Sequence, residues 1–137
     1  MKRLSYILLV AALITSCSLG RAPLVASDVL IAKPRPGMQM TAGYLTLSNN
    51  TRQNITITHV TSPEFELVEM HESVLEDGMA RMYELGDLTI LGGKTVRFEP
   101  GGKHLMLMRP IGEFDAVTLK FYAGKAVVLT VNTALTE

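Results

Sequence analysis

Short segments in which apolar and polar residues alternate, cut by turn residues at close intervals, leave this chain little choice of fold. Ile55, Ile57 and His59 stand on one parity and Thr56, Thr58 and Val60 on the other; Val117, Leu119 and Phe121 likewise oppose Thr118, Lys120 and Tyr122. Successive side chains of a strand point to opposite faces, so each such segment has one face to bury and one to solvate. Nine candidate strands follow, at residues 29–32, 42–48, 54–61, 66–75, 79–85, 95–99, 104–108, 116–122 and 126–133. Pro34-Arg35-Pro36-Gly37, Asn49-Asn50, Asp77-Gly78, Gly92-Gly93, Pro100-Gly101-Gly102 and Ala123-Gly124-Lys125 separate them, and these residue types are the ones that turns require. No long stretch has helical period. Nine strands that each hide one face give an all-β, Greek-key sandwich as the economical architecture.

The first residues read as export machinery rather than as fold. Lys2 and Arg3 form a positive start, and residues 6–14 an apolar run too short to span a bilayer, which takes roughly 20 residues. Ile14-Thr15-Ser16-Cys17 resembles a bacterial lipobox, which implies cleavage before Cys17 and acylation of that cysteine. The expected organisation is a signal peptide at 1–16, a lipid-anchored tether at 17–28 and one domain at 29–137. Cys17 is the only cysteine, so no internal disulfide can form and no thiolate remains for chemistry once the sulfur is acylated. In an oxidising compartment a soft-metal site is safer built from thioethers than from thiols. Without Lys2 and Arg3, eleven basic residues face thirteen acidic ones, a balance that offers nothing to nucleic acid.

Two segments carry chemistry. In His104-Leu105-Met106-Leu107-Met108, alternation sends His104, Met106 and Met108 to one face and the leucines to the core. In the other, Asp77-Gly78 is a strong signal for a two-residue type I′ turn. That turn sets Glu76 opposite Met79, Ser73 opposite Met82 and His71 opposite Glu84, so His71 and Met82 are diagonal neighbours on one face, roughly 7–8 Å apart at the backbone. Together the segments offer two imidazoles and two thioethers. This donor set favours Cu(I), whereas zinc takes Cys, His or carboxylate and calcium or magnesium takes oxygen. A blue-copper site would need a cysteine thiolate, and the only cysteine is at the expected anchor.

The spacing of His71, Met82, His104 and Met106 resembles the signature of the PCuAC family of periplasmic copper chaperones. The flanks Met70-His71-Glu72, Glu76-Asp77-Gly78 and Pro100-Gly101-Gly102-Lys103-His104 resemble that family too, as does the upstream stretch from Ala42 to Asn49. The resemblance implies a cupredoxin-like (immunoglobulin-like) β-sandwich that binds Cu(I) through His71, Met82, His104 and Met106. It further implies that the copper is passed to an oxidase copper centre or its assembly factor. Four neutral donors near a surface suit ligand-by-ligand exchange, so the expectation is a carrier without turnover, not an enzyme, and a monomer. The location implied is the periplasmic side of a bacterial envelope, with contact to the membrane only through the Cys17 lipid. Ser18 after Cys17 favours the outer membrane over the inner. The tail Val131-Asn132-Thr133-Ala134-Leu135-Thr136-Glu137 lacks the His and Met that give some members a Cu(II) site.

Met70 has the opposite parity to His71 and reads as core. Met108 shares the ligand face as a spare thioether or as packing beneath the site. Met38 and Met40 read as loop anchors that can also touch copper in transit. His59 reads as a structural or exposed strand residue, and Glu72, Glu76 and Asp77 as solvating the hairpin. The rival function is a metal-free envelope lipoprotein that binds a protein or peptide along a sheet edge.

Overall fold

The computed structural model describes residues 20–137. The expected signal peptide at 1–16 and Cys17, the expected lipid site, lie outside the described residues. Among the described residues eleven strands and no helix form: β1 (Leu24–Ile31), β2 (Met40–Asn49), β3 (Ile55–Ile57), β4 (His59–Ser62), β5 (Phe65–Glu76), β6 (Met79–Glu84), β7 (Leu88–Ile90), β8 (Thr95–Phe98), β9 (Lys103–Pro110), β10 (Ala116–Ala123) and β11 (Ala126–Ala134). The main sheet runs β1-β2-β9-β5-β4-β10-β11, with β8 also on β2 and β6 also on β5, while β3 pairs β7. All named strand pairs are antiparallel. The two ends of the sheet meet through a parallel bridge between Ala32 and Thr136, where Thr136 N–H donates to Ile31 O and Lys33 N–H to Thr136 O. The result is a nearly closed all-β sandwich, as the alternation requires.

The core is made by the predicted faces. Val117, Leu119 and Phe121 of β10, Leu105 and Leu107 of β9, and Leu45 and Leu47 of β2 are buried. Met70 is buried among them, on the core side of β5 as its parity predicts.

Three expectations are corrected. The domain starts before residue 29: β1 takes in residues 24–28 of the expected tether, and Leu24 is buried in the core. Ser27-Asp28 resembles a turn in the sequence but forms a bulge in β1, with Asp28 at φ 53°, a conformation that Asp tolerates better than most residues. Residues 54–61 are not one strand. Ile57 and Val60 are both buried while His59 is exposed, so the alternation loses phase at Thr58. That residue donates its N–H to Tyr122 O and passes the chain from one sheet to the other. Finally β7, at three residues, is too short to show a period.

Candidate metal centre

The hairpin of β5 and β6 forms as its turn predicts. Asp77 and Gly78 both have positive φ, 50° and 75°, which is the type I′ requirement. The pairs are Glu76 with Met79, Ser73 with Met82 and His71 with Glu84. A shift of one residue would carry Met82 to the other face; the observed ladder has none.

Sequence reasoning did not reach the pairing of β5 with β9. It sets His71 directly opposite His104, Glu69 opposite Met106, Leu67 opposite Met108 and Glu72 opposite Lys103. The imidazole rings of His71 and His104 lie 5.9 Å apart, tilted by 49°. Met106 is thus a diagonal neighbour of His71 on the β9 side, and Met82 is a diagonal neighbour on the β6 side. All four side chains belong to the face of the sheet away from Leu105 and Leu107. Next to the histidine pair, Lys103 Nζ meets Glu72 Oε1 at 2.7 Å, a partly buried bridge between β5 and β9 at the adjacent register position.

Each ring has one nitrogen engaged and one left over. His71 Nε2 is 2.8 Å from Glu69 Oε2; an ionised carboxylate only accepts, so Nε2 carries the proton and Nδ1 holds a lone pair. That Nδ1 is buried and has no hydrogen-bond partner. His104 Nδ1 lies 3.1 Å from Gly102 O, a carbonyl that likewise only accepts, which leaves the lone pair on Nε2. His104 is 6 % exposed. A buried ring nitrogen without a partner costs about 1–3 kcal/mol. An arriving cation would remove that cost, and hydrogen-bonding the far nitrogen to a carboxylate or carbonyl is how metal-binding imidazoles are oriented.

Two contributors were missed in the sequence, Glu69 and the carbonyl of Gly102. Parity alone would have found Glu69, which stands two residues before His71 on the same face. Among the described residues no three His, Cys, Asp or Glu side chains are grouped to hold a metal ion. Met106 is half-buried and Met82 is exposed. Met108 is half-buried opposite Leu67 and Met40, while Met38 and Met40 are exposed. His59 is exposed on β4 and stacks on Tyr122, with ring centroids 4.4 Å apart.

Comparison with known proteins follows the same lines. The family described as "Putative lipoprotein LpqE-like" matches residues 24–134. "Putative lipoprotein Lxx21020" of Leifsonia xyli is 32% identical over 94 residues, 64% of this chain and 57% of that protein. The uncharacterized protein RP573 of Rickettsia prowazekii is 28% identical over 76 residues, 55% of this chain and 42% of that protein. The chain thus spans about half the length of these curated relatives. Among solved structures, the copper-bound PCuAC domain from PmoF2 superposes with a TM-score of 0.66 at 17% identity, over 82% of this chain and 92% of that one. The solution structure of apo-DR1885 from Deinococcus radiodurans gives 0.58 at 23% identity, over 98% and 91%. At such identities the likeness is one of fold, and it is the cupredoxin-like fold of PCuAC domains. The chain belongs to the LpqE-like lipoprotein family and is built on the fold of the PCuAC copper-chaperone domains.

Proposed function

We propose that this protein is a periplasmic copper carrier that binds one Cu(I) through His71, Met82, His104 and Met106. It delivers the ion to the assembly of a copper-dependent oxidase, and it is held at the envelope by a lipid on Cys17, in the outer membrane. The observation that carries the reading is the facing histidine pair, whose His71 Nδ1 is buried and unpartnered. Two neutral imidazoles and two thioethers suit a soft monovalent ion. The same set suits a carrier rather than a catalyst, because thioethers at a half-exposed face release their ion one ligand at a time to an incoming site. A solved domain of the same fold is described as copper-bound.

Competition titration of the full chain in detergent against a Cu(I) chelator tests the binding. One Cu(I) per chain is expected to be held against the chelator. Glu69→Gln, which weakens the hold on His71 while keeping its shape, should reduce affinity by about tenfold, in keeping with the loss of an outer partner of a metal-bound histidine. Mixed with a copper-depleted oxidase copper centre, the loaded chain should give up its ion. Absence of binding would return the chain to the metal-free interaction module, and retention in the presence of the acceptor would remove delivery from the proposal.

A further inference from the structure

Of the seven methionines after Met1, only Met70 is buried in the core. Methionine earns a place in proteins mainly by filling irregular core gaps, and at the surface of an exported protein it is open to sulfoxidation. Six methionines outside the core therefore call for another reason, and three of them are aligned. Met40 of β2 is paired directly with Met108 of β9, and Ala42 with Met106. Directly opposed residues share a face with Cβ atoms about 4.5–5.5 Å apart, and residues two apart on one strand are separated by roughly 6.6 Å. Met40, Met108, Met106 and His104 thus follow one another on a single face in steps short enough for flexible thioethers to pass an ion between them. The outer end of this row is in water, with Met40 47% exposed; its inner end is the buried histidine. At the outer end the two strands are also tied beyond the pair, where Arg109 N–H donates to Gln39 O at 2.7 Å.

We propose that Met40 and Met108 form a second, outer site of two thioethers that takes a soft monovalent cation from solution and exchanges it with Met106 and the histidine pair. This inference rests on the copper-carrier reading for its inner site. The outer pair supplies two neutral soft donors and no imidazole, so it holds Cu(I) more weakly than the inner site and fills after it. Met79 is the natural control: it is 57% exposed, but it is paired with Glu76, has the opposite parity to Met82, and has no methionine opposite it.

The test is a titration of full chain in detergent, labelled with carbon-13 at its methionine methyls, with silver nitrate as a redox-stable source of a soft monovalent cation. The first equivalent is expected to move the Met82 and Met106 signals. The second should move Met40 and Met108 together and leave Met79 in place. In the doubly substituted Met40→Leu/Met108→Leu chain, a change that nearly conserves side-chain volume, the second event should be lost. The inference is overturned if excess silver leaves Met40 and Met108 unmoved, or moves Met79 as far as it moves them. If Met40 and Met108 respond while Met82 and Met106 never do, the outer pair stands and the four-ligand inner site falls.

Discussion

Replacing His104 and Met106 together with alanine is expected to lower Cu(I) affinity by more than about 100-fold. Losing an outer partner of a bound histidine already costs 10–100-fold, and this variant removes two of four direct donors. One of them, His104, is 6 % exposed and held in orientation by Gly102 O, so it is preorganised and no other imidazole can take its place. Met82→Leu should cost less than Met106→Leu. By strand geometry alone, Met82 and Met106 lie two strands and four residues apart, roughly 16 Å on a flat sheet. One ion can touch both only if the hairpin coils over His71, as two-stranded ribbons do. A donor that must be brought in contributes less than one already in place. Chelator competition measures both effects; an affinity within about threefold of the parent for the double variant would dismiss the pair as ligands.

Asn49→Ala should destabilise the domain by about 3 kcal/mol in chemical denaturation, from the loss of hydrogen bonds to buried partners. Asn49 is buried at the end of β2. Its Nδ2 donates to Gln53 O at 2.7 Å and to Ile90 O at 2.9 Å, and its Oδ1 accepts from Thr51 N–H and Thr51 Oγ1 at 2.9 and 2.8 Å. The amide therefore ties the main sheet to β7 and to the loop leading into β3. Alanine leaves the carbonyl of Ile90, itself in a buried residue, without this donor. Domains of this kind are stable by only about 5–15 kcal/mol, so the loss is a large share of the total. The neighbouring Asn50, whose Nδ2 donates to Ala22 O at an exposed position, provides the comparison: Asn50→Ala should cost less than about 1 kcal/mol. Equal losses at the two positions would mean that burial of the amide is not what matters.

Asn49 also marks where sequence reading stops. As Asn49-Asn50 it reads as a turn, which it is, but its burial comes from a contact with Ile90 forty-one residues away. The same distinction holds across the molecule. Features written in local chemistry were legible: the type I′ turn at Asp77-Gly78 and the core parity of Leu105, Leu107 and Met70. Features set by long-range pairing were not. Nothing within β5 or β9 says that His71 meets His104, because that register is fixed by the packing of two strands distant in sequence. The break at Thr58 shows only once Ile57 and Val60 are both seen to be buried, since residues three apart cannot share a strand face. Glu69 was overlooked for a different reason: a carboxylate on a solvated face looks ordinary until an imidazole is seen beside it. The β1 start at Leu24 was hidden because residues 18–27 mix Gly, Pro, Ser and Ala without a clear period and read as a tether.

X-ray absorption at the copper edge of the Cu(I)-loaded full chain tests the account most directly, because it reads the donor atoms themselves. A mixed shell of two nitrogens and two sulfurs is predicted, with the sulfur contribution reduced in Met106→Leu. A shell of nitrogen and oxygen alone, or copper that washes off before it can be measured, would contradict it.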